Sequence, residues 1–171
     1  MTPITCNDVK RIKINPPLAF PEKVKEVSNI LSTAKKPVLV VGGQVHTSSN
    51  TRELVRNISE VHNLPVLCTY EHQDILSHNH SHYAGELGLR PPEPIRKNAL
   101  EADVVLVVGH RFNGVPNMAY KFPSSDQTFI HVLPDPNTIG KIFRTDMSIV
   151  ADSENFLEQL SNSESKNISH E

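Results

Sequence analysis

A parallel β-sheet flanked by helices is the fold class this sequence predicts, and three observations carry it. Pro37-Val38-Leu39-Val40-Val41 is a continuous apolar run that ends in Gly42-Gly43-Gln44. Val104-Val105-Leu106-Val107-Val108 is a second such run, ending in Gly109-His110-Arg111-Phe112-Asn113. Unbroken β-branched runs fit strands buried on both faces, as parallel strands under helices are. Third, segments of helical spacing alternate with the strand-like runs, over connections long enough for parallel crossovers. Glycine at the end of such a strand lets a ligand or a second backbone come close. Ligands of open α/β sheets bind beyond those strand ends.

The elements follow in order. Residues 1–20 bear prolines without periodicity and are expected to form a linker or extended arm. Pro21 suits the first turn of a helix reaching about Ala34, with Val24, Val27 and Leu31 on its buried face. Val38–Val41 is the first core strand. Ser48, Ser49 or Asn50 can cap a helix to about His62, with Leu54, Val55, Ile58 and Val61 turned inward. Pro65–Cys68 is a short strand. Residues 69–92 read as one long loop rich in His, Asn, Ser and Gly, a length that implies function or packing. Pro94 begins a helix that ends near Glu101, and Val104–Val108 follows. Residues 112–125 are irregular. Phe129–Val132 and Ser148–Val150 are further strands. Ser153 is expected to cap a last helix with Phe156, Leu157 and Leu160 on its apolar side. The domain is expected to span 21–161, and residues 162–171 to be a disordered tail.

Composition narrows the partners. Seventeen Lys and Arg against nineteen Asp and Glu give a net charge of −2, which offers no electrostatic case for nucleic acid or an anionic membrane. No apolar run approaches a membrane span, and the N-terminus lacks a signal-peptide pattern, so a cytoplasmic location is expected. Cys6 and Cys68 have no metal-site spacing, and no disulfide is expected between them. Asn57-Ile58-Ser59 and Asn167-Ile168-Ser169 match the glycosylation pattern only by chance without secretion.

Several segments, in this order, carry a family resemblance. Ala34-Lys35-Lys36-Pro37 leads into the first strand and Gly42-Gly43, with Glu53-Leu54-Val55 and Leu64-Pro65-Val66 after it. Asn79-His80 precedes Tyr83-Ala84-Gly85-Glu86-Leu87-Gly88. Glu101-Ala102-Asp103 opens the run that ends in Gly109-His110-Arg111-Phe112. Ile130-His131-Val132, Asp135-Pro136, Ile139-Gly140-Lys141 and Ile149-Val150-Ala151-Asp152 complete the set. Together they resemble the central domain of thiamine-diphosphate-dependent enzymes of the acetolactate synthase and pyruvate oxidase type, over roughly residues 21–161. The resemblance implies a three-layer, Rossmann-like α/β domain with a parallel sheet of five or six strands. In some members this domain holds FAD or ADP; in others it is a scaffold. Catalysis in the family belongs to two other domains, which supply an activating glutamate and a Gly-Asp-Gly segment for the metal and diphosphate. This sequence has no Gly-Asp-Gly. Thiamine diphosphate and magnesium are therefore expected only through N- and C-terminal domains or subunits outside it, and no catalytic residue is assigned.

The resemblance also nominates cofactor-contacting positions, each with a plainer reading beside it. Gly42 and Gly43 would approach a nucleotide at the head of the following helix, where an anion is favoured; Gln44 replaces a third glycine. The plain reading is a tight turn. Gly109, His110, Arg111 and Phe112 match the segment that contacts FAD or ADP, and Arg111 offers a fork of donors for a diphosphate. The plain reading has Arg111 at a helix end or paired with a surface acid. Arg90 holds a flavin-contacting position, with Leu87 and Gly88 just before it, or is an exposed loop residue. Asp152 lies near the adenine end in relatives, but a helix-capping role is favoured. Leu133 stands where nucleotide-binding relatives have a ribose-holding acid. His72, His78, His80 and His82 have alternating spacing that can ligate zinc or nickel, yet no cysteine or carboxylate set joins them and no metal is assigned. His72, Gln73 and Asp74 also replace the lysine and glycines usual in that loop. Two functional readings result. One is a central module of a thiamine-diphosphate enzyme, not catalytic alone. The other is an autonomous adenine-nucleotide-binding protein reusing the fold.

Overall fold

The computed structural model of the protein describes residues 15–45 and 49–165. In chain order the elements are α1 (Pro21–Thr33), β1 (Pro37–Val41), α2 (Ser49–Val61), β2 (Val66–Thr69), β3 (Tyr83–Leu87), α3 (Glu93–Leu100), β4 (Val104–Val108), β5 (Thr128–Leu133), β6 (Met147–Val150) and α4 (Ser153–Ser165). The strands form a six-stranded sheet in the order β3-β2-β1-β4-β5-β6, and every neighbouring pair is parallel. The chain works outward from β1 to β3, then returns to the other side of β1 and works outward to β6. The order therefore reverses between β1 and β4, and the crevice of such a sheet opens beyond the strand ends at that point. The two strands that flank it, β1 and β4, both end in glycine.

Pairing and burial explain the central strands. Val38–Val41 and Val104–Val108 are all buried, and they pair directly, Pro37 with Val104 through Val41 with Val108. One face of the sheet packs on α1, α2 and α4 through Val27, Leu31, Val55, Ile58, Phe156, Leu157 and Leu160. The other face packs on Ala99 and Ile95 of α3 and on Phe112 and Phe122. Each fully buried side chain of this size contributes roughly 1.5–3 kcal/mol over an exposed one.

Asp103 fixes where β4 starts. Its carboxylate accepts the backbone N–H of Lys35 at 2.6 Å and of Lys36 at 2.9 Å, just ahead of β1. Burial works to raise its pKa, but these backbone donors outweigh it and hold the carboxyl below its usual value. Buried Gln127 closes the end of α3. It donates to the carbonyls of Ala99 at 2.9 Å and Ala102 at 2.7 Å, satisfying acceptors that a helix end leaves unpaired.

Four expectations need correction. The stretch 69–92 is not one loop, because Tyr83–Leu87 is an edge strand paired with β2. It carries a bulge at the Val66/Leu67 register shift and Gly85 at φ +111°, where any Cβ would collide with Ile95. A bulged, glycine-bearing strand has no apolar run to announce it. Val61 is 53% exposed, since α2 ends there and turns it away from the sheet. Ser153 does not cap α4; its Oγ is buried with no hydrogen-bond partner, and Asp152 caps instead. Finally, α4 runs on to Ser165. Of the capping candidates for α2, Ser48 lies outside the described residues, as do Cys6, Asn167 and most of the expected arm and tail. Where the arm is described it is docked: Pro17 accepts the Asp152 N–H, and Ala19 exchanges two hydrogen bonds with the Gln159 amide.

Candidate functional site

The two glycine-ended strands build the crevice at the sheet's switch point. After β1 the chain does not enter a helix directly. Gly43–Val45 forms a 3₁₀ turn, and α2 begins only at Ser49. The expectation that Gly42 and Gly43 lie at a helix N-terminus is thus corrected. Their neighbourhood is instead stitched to the other strand ends: Gly42 N–H donates to Val108 at 3.1 Å, Gln44 to Gly109 at 3.0 Å, and Gly109 to Val132 at 3.2 Å. These amides are unavailable to an anion.

Histidines fill the space above the glycines. A Cβ on Gly43 would collide with the His72 ring, and one on Gly42 with His110. The glycines are needed for close approach, as the sequence suggests, but the approaching groups are the protein's own side chains. Gly109 sits at φ +72°, and a Cβ there would lie 2.7 Å from Val45 and 2.8 Å from Ser153 Oγ. His72 Nδ1 lies 2.7 Å from the Tyr70 carbonyl. His110 Nδ1 accepts the Phe112 N–H at 2.8 Å, so its proton is on Nε2. His131, buried in β5, donates through Nε2 to the His110 carbonyl at 2.8 Å. Burial, with His72 and then His131 adding repulsion, lowers the His110 pKa to about 4. Burial likewise lowers that of His131, opposed by its bond to His110. Both are neutral imidazoles near pH 7, and the second nitrogen of His131 is buried without a partner.

What remains open is a shallow cavity of about 240 Å³ lined by Gly43, Gln44, His72, Gly109, His110, Arg111 and Asn113. Small-molecule sites usually enclose about 300–1,000 Å³. Arg111 is exposed, and among the described residues it has no carboxylate partner.

The other nominated residues lie apart from this cavity. Phe112 is 1% exposed and packs on Phe122, Phe129 and Phe143, so it is a core aromatic. Leu87 is buried under α3's face of the sheet, and Gly88 follows it against Glu86 and Tyr70. Arg90 lines a different cavity, of about 630 Å³, between α3 and the turn at residues 114–121. Asp152 Oδ1 accepts the N–H groups of Glu154 at 3.1 Å and Asn155 at 3.2 Å, the helix-capping role favoured from the sequence. Leu133 is buried at the end of β5. The loop histidines are engaged within the protein: His80 with Glu60 at 3.1 Å and, through Nδ1, with the His82 N–H at 3.2 Å, His82 with Asn63 at 3.0 Å, and His78 stacked on Tyr83. Among the described residues no three His, Cys, Asp or Glu side chains converge as a metal set. Burial pushes the Cys68 thiol up to about 12, so it stays protonated. Among the described residues no helix is long and apolar enough to cross a membrane.

Sequence reasoning missed the bracing role of His131, Asp103 and Gln127. His131 gave a usable signal, a histidine in an otherwise apolar strand that must find a hydrogen-bond partner. Asp103 and Gln127 sit at strand starts, where nothing local distinguishes a brace from a solvated side chain.

Comparisons with known proteins agree with this architecture. Residues 24–160 match the family model described as "Thiamine pyrophosphate enzyme, central domain". A probable acetolactate synthase large subunit of Methanococcus aeolicus is 30% identical over 153 residues, covering 89% of this chain and 25% of that protein. The Escherichia coli acetolactate synthase isozyme 3 large subunit is 32% identical over 140 residues, covering 81% and 24%. The crystal structure of benzoylformate decarboxylase from Polynucleobacter necessarius superposes with a TM-score of 0.70 at 24% identity, over 94% of this chain and 30% of that one; it supports the fold alone. The chain spans about a quarter of the length of the curated relatives it matches.

Proposed function

The chain belongs to the thiamine pyrophosphate enzyme central-domain family, and from that membership we propose that it is a non-catalytic scaffold module of an acetolactate synthase-type enzyme. On this reading it holds in register the N- and C-terminal domains, or separate subunits, that bind thiamine diphosphate and magnesium. The observation that carries the reading is the crevice itself. The position where a family ligand would approach Gly42 and Gly43 is filled by His72 and His110, and the Gly42, Gln44 and Gly109 amides are bonded within the sheet.

The residues fit a deeply held FAD or ADP poorly. The cavity is small, Leu133 stands at the ribose position, and the nearest carboxylate on that turn, Asp135, accepts from Asn137 at 2.9 Å. A lost hydrogen bond to a charged group costs about 1.5–3 kcal/mol, or roughly 10- to 150-fold in affinity. Of the nominated cations, Arg111 stands at the open rim of this cavity, and Arg90 lines the separate groove beside α3. The cytoplasm is the expected compartment.

Two measurements test the reading. Purified chain supplied with thiamine diphosphate, magnesium and pyruvate should give no decarboxylation or carboligation above a protein-free blank; turnover would overturn it. FAD and ADP should leave the melting temperature unchanged. A saturating ligand at about 100 times its dissociation constant would stabilise by about 2.7 kcal/mol, and such a shift would favour an autonomous nucleotide binder instead.

A further inference from the structure

The wide cavity beside α3 belongs to no residue of the switch-point crevice. Its apolar lining includes Leu89, Leu100 and Met118, of which Leu89 is 74% and Leu100 42% exposed. Around these stand three cations from three segments: Arg90 after β3, Arg96 on α3, and Lys121 beyond the turn. No carboxylate lines the groove, and among the described residues none of the three cations has an acidic partner. By contrast, Lys23 on α1 and Arg52 and Arg56 on α2 each pair with an acid. The groove is therefore a positive patch on a chain of net charge −2.

Its far wall is strained. Met118, Ala119 and Tyr120 have φ of +52°, +56° and +65°, three successive non-glycine residues in the left-handed region. That conformation is unfavourable for each of them. Fully buried Asn117 holds it: its Oδ1 accepts the Tyr120 N–H at 2.9 Å and its amide donates to the Phe112 carbonyl at 3.0 Å. Strain maintained by a buried brace is a mark of a shaped functional surface. Tyr120, next to this wall in sequence, is left 63% exposed.

We propose that this groove is a docking surface for an acidic, apolar segment of a partner polypeptide. The proposal rests on the scaffold reading and gives that reading a partner of stated chemistry. Apolar side chains of the segment would cover Leu89, Leu100 and Met118, and its carboxylates would pair with Arg90, Arg96 and Lys121. Arginine at a planar carboxylate adds two parallel bonds and so fixes register. Complementary charge also speeds encounter and rejects basic partners.

The test is a nuclear magnetic resonance titration of the full chain with a short peptide alternating glutamate and leucine. Its glutamine-for-glutamate counterpart and ADP serve as separate arms. The glutamate peptide should perturb the amides of Leu100, Val115 and Met118, and added salt should weaken it. The glutamine peptide should bind at least tenfold more weakly, and so should the glutamate peptide to the folded Arg96→Glu/Lys121→Glu variant. Lys23→Glu, on the opposite face, should leave binding unchanged. Equal binding of both peptides, no perturbation at the groove, or stronger perturbation there by ADP would each overturn the proposal. Pyruvate turnover by the chain would instead sink the scaffold reading without touching the groove.

Discussion

The two faces of the sheet are covered in different ways. One carries α1, α2 and α4, whose apolar residues recur at helical spacing. The other carries the eight-residue α3 and a set of irregular turns, whose Phe112, Phe122 and Phe143 cluster over Phe129 of β5 where a helix would otherwise pack. The first face is regular packing. The second holds every left-handed non-glycine residue of the turn at 118–120, the buried Asn117 and the unpaired cations of the groove. The contrast teaches that one sheet can be covered in two ways: the helical face anchors it by periodic packing, and the turn-covered face leaves shape and charge at the surface.

Equivalent truncations on the two faces would break that comparison if they behaved alike. Phe156 on α4 and Phe122 on the irregular face are both fully buried. Phe156→Ala should cost about 3–5 kcal/mol in urea denaturation. Phe122→Ala should fall at the low end of that range, because turns collapse into a cavity more readily than a helix does. A larger loss at Phe122 would reverse the ranking of the faces.

Acid should act through the turn-covered face. His110 and His131 are neutral in the folded chain, so below about pH 6.5 the unfolded chain binds the extra protons. Stability should be complete above that pH, fall as the pH drops towards about 4, and then level off with respect to His110. The loss should be on the order of 2–3 kcal/mol, less than the full shift implies because His110 is partly accessible. Denaturation midpoints across this range, in wild type and His110→Asn, measure it; an identical slope in both would remove His110 as the cause.

The switch-point glycines sharpen the comparison further. Gly109→Ala should destabilise by roughly 1–3 kcal/mol, since the Cβ meets the Val45 backbone at 2.9 Å from a left-handed residue. Gly43→Ala should cost less, because it meets only the end of the His72 side chain. His72→Ala in the same chain should relieve it, and thermal melts of the double mutant check this. Asp152→Ala should cost about 1 kcal/mol by removing the α4 cap. A loss under a few tenths would mean that Ser153 or water substitutes.

Much of this was legible beforehand. The two valine-rich runs, the glycine ends, the stripes on α1 and α4 and the order of family motifs led to the parallel sheet and to the family, and Asp152 to its cap. Local pattern suffices where burial repeats with the period of the element. It failed at β3, whose bulge and Gly85 leave no alternation, and at Val61, where a stripe ran past the helix end. It also failed at the crevice, because which group approaches Gly43 depends on His72, distant in sequence.

The sequence by itself determined the sheet, its buried strands and its lineage, since β-branched runs and helical spacing encode burial locally. Only the tertiary structure decided what occupies the strand ends and what the second face presents. Those outcomes come from side chains far apart in the chain, His72 over Gly43, His131 under His110, Arg90 beside Lys121, whose meeting no periodicity records.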